Sequence, residues 1–219
     1  MNLDFPAGAV RAIFFDAVGT LLHPSPLAHE VYAEVGAKFG HFLPTEIIRT
    51  RFREAFQLQE QHDARNDWAT SEKRELRRWQ EIVRTVFEDD KLFSQLWQHF
   101  AEPSAWRVIP EAGEVLAELS RRSFVLGLAS NFDRRLHTVA AGFPELEPLG
   151  IRLISSEIGC RKPSPKFFEA LVKAAGCTPQ QILYVGDNPA NDYEGATAAG
   201  LRAVLVDEDS ERLRELLNL

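Results

Sequence analysis

Short apolar segments recur along the chain without a regular alternation of polar residues. They occupy residues 10–16, 124–130, 151–154, 181–186 and 202–206. Runs of this kind are typical of parallel strands that are covered on both faces. The pattern therefore predicts a buried parallel sheet.

A second class of segment places apolar residues three and four positions apart, which indicates amphipathic helices. These segments are residues 111–121, 164–176 and 191–199. The middle one begins with Ser164-Pro165, a favourable helix start, and ends at Gly176. Because strands and helices alternate, we predict an α/β fold with a doubly wound parallel sheet.

Residues 24–105 interrupt this alternation. They contain long, charged amphipathic segments that predict about four helices and no clear strand. We therefore predict an inserted all-α domain at residues 23–105, and a core that consists of residues 1–22 and 106–219.

The insert carries two further features. Its aromatic residues include Trp68, Trp79 and Trp97, with Trp106 beside it, and we expect these tryptophans to pack within the insert or against the core. The basic run Arg74–Arg78 is typical of a solvated helix face.

The composition excludes several classes of function. The chain has 219 residues, 45% of them hydrophobic and 26% charged, which is ordinary for a globular protein. The net charge of −7 and a sequence pI of about 5.4 argue against nucleic acid or an anionic membrane as the main partner. A small phosphorylated ligand remains compatible with these values. No feature of the sequence specifies an oligomeric state.

The cellular location follows from what the sequence contains. The two cysteines, Cys160 and Cys177, have no CxxC spacing and fit reduced thiols. The N-terminus has no basic region followed by a long apolar one, and no stretch approaches the roughly 20 apolar residues of a membrane span. We expect a cytoplasmic protein.

Polar residues follow several of the predicted strands. Asp16 comes after the first strand, Ser130-Asn131 after the second, and Asp187-Asn188 after the fourth, while Lys162 precedes a helix. Because ligands of open α/β sheets bind beyond the carboxyl ends of the strands, we expect these side chains to share one crevice.

These residue types suit phosphoryl transfer. The carboxylates of Asp16 and Asp187 are suitable ligands for Mg²⁺, and Asp16 is also a candidate nucleophile. Gly19 permits a tight turn whose backbone N–H groups cradle phosphate oxygens. Ser130 is a candidate donor to phosphate, and Lys162 offsets the phosphate charge.

Three further residues belong to the candidate site. Thr20 and Asn131 complete the predicted phosphate-binding set with Gly19, Ser130 and Lys162. Asp192, five residues after Asp187, is either a carboxylate favoured at a helix N-terminus or a group that supports the metal from behind its direct ligands.

Four segments in order resemble the motifs of the haloacid dehalogenase superfamily. They are FFDAVGT, GLASN, RKPSPKFF and YVGDNPANDYEGA. The helical insertion matches the position of that superfamily's helical cap. More narrowly, SNFDRRL and VGDN-x₃-DY-x-G resemble its rhythmically expressed, DREG-like subgroup.

The resemblance implies a role for each candidate. Asp16 is expected to form an aspartyl-phosphate, and to bind Mg²⁺ together with Asp187 and the Val18 backbone carbonyl. Asp192 is expected to support the metal or Lys162. The resemblance assigns the transferring phosphoryl group to two side chains, Ser130 and Lys162.

Val18 departs from the phosphatase pattern. Phosphatases of this superfamily usually carry a second aspartate two residues after the nucleophile, where it acts as general acid and base. Such a group typically contributes about 10²–10⁴-fold in rate. Val18 has no proton to transfer, although its carbonyl is still a possible metal ligand.

Three interpretations follow. We favour a Mg²⁺-dependent phosphatase-type hydrolase whose leaving group needs little protonation, or in which another group such as His23 supplies the proton. The second is a phosphate- or partner-binding protein without turnover. The third is a different hydrolase. Dehalogenases of the superfamily carry a tyrosine at the Val18 position and lack the aspartate that corresponds to Asp187, and a phosphonate hydrolase requires an insert lysine, for which the candidates are Lys38, Lys73 and Lys91.

Overall fold

The computed structural model describes residues 9–206 and 211–219. The strands, in chain order, are β1 (Ala12–Phe15), β2 (Leu22–Pro24), β3 (Trp106–Val108), β4 (Val125–Ser130), β5 (Ile151–Ile154), β6 (Ile182–Gly186) and β7 (Arg202–Leu205). The helices are α1 (Ala28–Lys38), α2 (Thr45–Arg65), α3 (Glu72–Phe87), α4 (Phe93–His99), α5 (Ala112–Arg121), α6 (Arg135–Ala141), α7 (Ser155–Ile158), α8 (Pro165–Ala175), α9 (Gly195–Ala198) and α10 (Glu211–Glu215).

Five strands form one parallel sheet in the order β5-β4-β1-β6-β7. Each of them coincides with an apolar run that predicted a strand. Successive side chains of the central strand β1 enter opposite layers, because a strand alternates its faces. Ile13 and Phe15 pack with α5 and α6, whereas Ala12 and Phe14 pack with α8. The prediction of a doubly wound α/β fold is confirmed.

A second, two-stranded sheet was missed by the sequence analysis. Strands β2 and β3 pair in antiparallel fashion, with Leu22 opposite Val108 and Pro24 opposite Trp106. Each strand has only three residues, too few to show an alternation of polar and apolar positions. The pairing brings the two ends of the intervening helical segment together.

The helical segment agrees with the predicted helices. Helices α1 to α4 lie between residues 28 and 99. They enclose an apolar cluster of their own, which includes Val31, Ile48, Val83 and Leu96. This cluster is consistent with the assignment of residues 23–105 to a separate domain, which stays a prediction.

The basic run of α3 is not a solvated face, so that prediction was wrong. Arg78 is 1% exposed and Arg74 is largely buried, while Arg77 is exposed. Arg74 and Arg78 both donate to the buried carboxylate of Asp63 on α2. A pattern of charge along one helix does not reveal a partner on the neighbouring helix.

The helix predicted at residues 191–199 divides into two parts. A π-helical turn spans Pro189–Glu194, and α9 follows it. The turn begins earlier than predicted because the Asn188 side chain accepts hydrogen bonds from the backbone of Ala190 and Asn191 at 3.1 and 2.9 Å.

Candidate active site

The sheet brings three of the predicted site residues to one edge. In β1, Phe15 lies beside Leu128 of β4 and Val185 of β6, so the strands on either side of β1 end near it. The Asp16 backbone N–H donates to the Val185 carbonyl at 2.8 Å. Asp16 and Asp187 directly follow β1 and β6, and Ser130 is the last residue of β4, so all three lie at the carboxyl ends of adjacent parallel strands.

Lys162 is the centre of a buried hydrogen-bond network. Its Nζ donates to Asp16 Oδ1 at 2.6 Å, to Asp192 Oδ1 at 2.6 Å and to Tyr184 Oη at 2.7 Å. Tyr184 Oη in turn donates to the carbonyl of Ala129 at 2.6 Å. The sequence analysis missed Tyr184, because in the pattern it is only one apolar residue of a buried strand.

Asn131 holds the backbone of Lys162 from both sides. Its Nδ2 donates to the Lys162 carbonyl at 3.0 Å, and its Oδ1 accepts from the Lys162 N–H at 2.8 Å. The amide thus orients the loop that presents the ammonium. A direct contact of Asn131 with phosphate stays a prediction.

Three carboxylates converge beside this ammonium. Oxygen atoms of Asp16, Asp187 and Asp192 all lie within 4.8 Å of one another. Oxygens on opposite sides of a Mg²⁺ ion are about 4.2 Å apart, so small side-chain rotations would suffice for a shared ion. Asp192 Oδ2 also accepts from the Asn188 N–H at 2.9 Å, which fixes its orientation.

The turn after β1 is shaped around Asp187. A Cβ at Gly19 would lie 2.4 Å from Asp187 Oδ2, and Gly19 has a φ of +95°. Only glycine meets both conditions without strain. Thr20 Oγ1 donates to Asp187 Oδ1 at 3.3 Å, so this hydroxyl contacts the carboxylate. Binding of phosphate by Gly19 and Thr20 stays a prediction.

The pKa values of the site reflect a surplus of negative charge. Burial raises the pKa of Asp16, and the Lys162 ammonium and a hydrogen bond from Ser130 only partly oppose this. Desolvation and the carboxylates of Asp16 and Asp192 raise the pKa of Asp187 to about 7, although Asp187 as a residue is exposed. Burial lowers the pKa of Lys162, but the two carboxylates outweigh it and hold that pKa well above its usual value.

This charge distribution fits a divalent cation. We call the space beside these groups, about 260 Å³ in volume, the carboxylate pocket. Four acidic side chains line it, Asp16, Asp187, Asp192 and Glu60. Two basic side chains oppose them, Lys162 and Arg161. A dianionic phosphate would be repelled by the remaining charge, and a bound Mg²⁺ would offset it.

A second space of about 260 Å³ adjoins the carboxylate pocket, and we call it the aromatic cavity. Val18, Phe56, Trp79, Trp106 and Phe132 line both spaces. Further rings that line the cavity are those of Tyr32, Phe52, Phe93, Trp97 and Phe100. The tryptophans were expected to pack within the insert or against the core. The cavity was not predicted, because the residues of its wall come from helices that are far apart in the chain.

The alternative proton donor His23 and the three lysines considered for a phosphonate hydrolase lie outside the carboxylate pocket and the aromatic cavity. His23 lies in β2 opposite Arg107 and lines neither space. Lys38, Lys73 and Lys91 are exposed and also line neither space. Within the described residues, the lining of both spaces therefore contains none of the lysines that a phosphonate hydrolase would require.

The sequence matches a known family over most of its length. The family model for haloacid dehalogenase-like hydrolases covers residues 10–200. The chain belongs to this family. The expected resemblance is thus confirmed, and so is its narrower part, because the Rhythmically expressed gene 2 protein of Drosophila melanogaster is 25% identical over 218 residues, with 91% of this chain and 84% of the relative covered.

Other relatives and a solved structure extend the comparison. Haloacid dehalogenase-like hydrolase domain-containing protein 3 of Homo sapiens is 29% identical over 206 residues, with 90% of this chain and 82% of the relative covered. A phosphoserine phosphatase of Thermus thermophilus is 40% identical over 111 residues, which are 49% of this chain and 44% of that protein. The crystal structure of a dehalogenase in an intermediate complex superimposes with a TM-score of 0.74 at 21% identity, with 92% of this chain and 86% of that chain covered. This likeness shows the shared fold.

Among the described helices, none has the length and apolar character that crossing a membrane would require.

Proposed function

We propose that the protein is a Mg²⁺-dependent phosphatase-type hydrolase that acts through an aspartyl-phosphate on Asp16. The observation that carries this proposal is the contact of Lys162 Nζ with Asp16, 2.6 Å long, beside two more carboxylates. Among the described residues that line the carboxylate pocket, acidic side chains outnumber basic ones, so a phosphate anion would bind there only together with a cation.

The residues divide the work between binding and chemistry. Asp16, Asp187 and the Val18 carbonyl would hold Mg²⁺, with Asp192 in support. When bound, the ion supplies positive charge to Asp16 and to the phosphate oxygens. Lys162 and Ser130 orient the phosphoryl group. The Gly19 N–H donates to the Leu22 carbonyl at 3.0 Å, so Thr20 is the residue of this turn that would contact phosphate.

The proposed reaction has two displacements. The Asp16 carboxylate attacks phosphorus, the bond to the leaving oxygen breaks, and the leaving group departs with the electron pair. Water then attacks phosphorus and the bond to Asp16 breaks, which releases hydrogen phosphate, a proton to the solvent and the free Asp16 carboxylate. Because Val18 has no acidic proton, the leaving group is protonated by the solvent.

The relatives support parts of this proposal. A phosphoserine phosphatase is among them, which makes small phosphorylated compounds the expected substrates.

Both cysteines are free thiols, which fits the predicted cytoplasmic location.

The test is hydrolysis of p-nitrophenyl phosphate by the wild type and by Asp16→Asn, each with Mg²⁺ and with EDTA. We expect turnover only in the wild type with Mg²⁺. Circular dichroism is expected to show that Asp16→Asn is folded as the wild type is. A separate assay with 2-chloropropionate in EDTA tests the dehalogenase alternative, and chloride release there would instead indicate a dehalogenase.

Val18 favours one other candidate, a phosphate- or partner-binding protein without turnover. In that case the wild type would be inactive on every phosphate ester, yet inorganic phosphate would bind in the presence of Mg²⁺. The Asp16→Asn variant would then behave as the wild type does in the hydrolysis assay.

A further inference from the structure

The aromatic cavity has the size and surface of a site for a flat apolar group. Its volume is about 260 Å³, and Trp79, Trp106 and Phe132 line both this cavity and the carboxylate pocket that contains Asp16. An apolar cavity of roughly 150 Å³ holds a benzene molecule. The aromatic cavity therefore has room for a substituted ring or for two fused rings.

Among the described residues, the lining of the cavity contains no charged group without a counter-ion. Arg135 lines it, but this guanidinium donates to both carboxylate oxygens of Asp133 at 2.8 Å and to the Trp97 carbonyl at 3.1 Å. Its carbon also lies 3.3 Å from the centre of the Trp97 ring. Burial raises the pKa of Tyr32, so this phenol stays neutral. The group that fits is an uncharged one.

Val18 adds an independent constraint on the same group. It lies where the two spaces adjoin, and it offers no proton to a departing oxygen. A phenol has a pKa near 10, as tyrosine does, whereas the pKa of water is about 15.7 and an alkyl alcohol is similarly basic. A phenolate therefore departs with far less help from an acid.

We propose that the substrate is an aryl phosphate, the phosphate ester of an uncharged phenol or naphthol whose ring occupies the aromatic cavity. This inference rests on the proposed phosphatase function. Asp16 forms its bond to phosphorus as the bond from phosphorus to the aryl oxygen breaks. The aryloxide leaves as the anion and is protonated by the solvent. Water then attacks phosphorus and the bond to Asp16 breaks, which releases hydrogen phosphate, a proton to the solvent and the Asp16 carboxylate.

The cavity can be tested without any turnover. Calorimetric titration of the metal-free protein with 1-naphthol is expected to show saturable binding with a negative heat-capacity change, the mark of apolar burial. Ala28 lines the cavity, so Ala28→Phe fills part of it and is expected to weaken binding about 10-fold or more. The control is Ala37→Phe, the same change at an exposed position of the same helix, which is expected to bind as the wild type does.

Turnover of three phosphates separates the ring from the phosphoryl group. Acetyl phosphate has a small leaving group that needs no proton, 1-naphthyl phosphate has the proposed ring, and O-phosphoserine has a charged alkyl group. With Mg²⁺, we expect kcat/KM for 1-naphthyl phosphate to exceed that for O-phosphoserine about 100-fold or more. Ala28→Phe is expected to lower it about 10-fold more than it lowers kcat/KM for acetyl phosphate, and Ala37→Phe is expected to lower neither.

The outcomes distinguish the two proposals. If acetyl phosphate is hydrolysed but O-phosphoserine is as good a substrate as 1-naphthyl phosphate, the aryl inference is wrong and the phosphatase function stands. If acetyl phosphate is inert, both are wrong. The inference is also wrong if the wild type does not bind 1-naphthol, or if Ala28→Phe binds it as tightly as the wild type does. Both results come from the binding titration, so they do not depend on the turnover of the variant.

Discussion

At the scale of single residues, Val18 is the feature that sets this site apart. The side chain lines both the carboxylate pocket and the aromatic cavity, so it extends an apolar wall between them. Under the proposed phosphatase function, this valine also stands where a proton donor is expected. The proposal therefore assigns the departure from the phosphatase pattern to proton transfer alone.

Val18→Asp tests this interpretation. Because an acid at this position would protonate a basic leaving group, we expect turnover of alkyl phosphates to rise by about 10²-fold or more, with a much smaller gain for aryl phosphates. The measurement is kcat/KM for both classes in the presence of Mg²⁺. The control is Val18→Asn, which has a similar shape and no acidic proton. Equal gains in both variants would point to an effect of polarity and would contradict the prediction.

The raised pKa of Asp187 leads us to expect that the stability of the protein depends on pH. Its pKa is raised to about 7 in the folded protein, first by desolvation and then by Asp16 and Asp192. The folded state thus binds this proton more tightly than the unfolded state, so the metal-free protein is expected to lose stability as the pH rises from about 4 to 7. After allowance for solvent screening at this exposed residue, we expect a loss of about 1–2 kcal/mol.

Urea denaturation in EDTA at several pH values would measure this loss. Asp187→Asn removes the titrating group, and we expect its free energy of unfolding to depend less on pH over the same range. A wild-type stability that rises from pH 4 to pH 7 by an equal amount would show that other groups dominate.

The convergence of several candidate residues was predictable from the sequence. Asp16 and Asp187 follow buried strands and Ser130 ends one, and the rule for open sheets was enough to bring them together. Their roles in catalysis stay predictions. Tyr184 was not predictable as a partner of Lys162, because nothing in an apolar strand marks the one hydroxyl that points toward a buried ammonium.

At the scale of elements, the sheet was easier to predict than the helical segment. The buried strands have short apolar runs without alternation, whose length and surroundings are typical of strands in a parallel sheet. The ribbon of β2 and β3 is too short for such a signal. The charges of α3 were misinterpreted because their meaning depends on Asp63, which belongs to α2.

The Asp63 cluster joins the helices to the core. Its carboxylate accepts hydrogen bonds from Arg74 and Arg78 of α3 and, at 2.7 Å, from Arg161 in the loop that also presents Lys162. Arg78 and Arg161 are almost fully buried. Buried Glu75 is a second counter-ion, 3.6 Å from Arg161. Removal of Asp63 would leave the guanidinium groups without the carboxylate to which they donate hydrogen bonds.

Asp63→Ala is therefore expected to destabilise the protein by about 3–5 kcal/mol, the range for breaking a buried ion pair from one side. Urea denaturation provides the measurement. Glu81→Ala is the control, because the Glu81–Arg84 pair of α3 is exposed and such pairs contribute about 0–1 kcal/mol. Similar losses in both variants would show that the cluster has no special importance.

At the scale of the whole molecule, the site draws on both parts of the chain. The strand ends supply the carboxylates, while the helical segment supplies most of the aromatic rings. Fold class was predictable because it depends on local patterns. The aromatic cavity was not, because its shape depends on how four helices lie against the sheet.

Because the proposed metal ligands belong to the folded structure, we expect Mg²⁺ binding to stabilise the entire fold. A ligand that binds only the folded state at about 100 times its Kd adds about 2.7 kcal/mol, and 1 kcal/mol shifts Tm by about 2–4 °C in a chain of this size. We therefore expect saturating Mg²⁺ to raise Tm by roughly 5–10 °C. Thermal unfolding followed by circular dichroism would record the shift.

The matched variants for this experiment are Asp187→Ala and Glu60→Gln. Both residues line the carboxylate pocket, but only Asp187 belongs to the group of three converging carboxylates. We expect Asp187→Ala to abolish the Mg²⁺ shift and Glu60→Gln to retain it. An equal shift in the two variants would mean that the ion binds outside the three carboxylates. Because this readout needs no turnover, it examines the metal site independently of the missing proton donor at Val18.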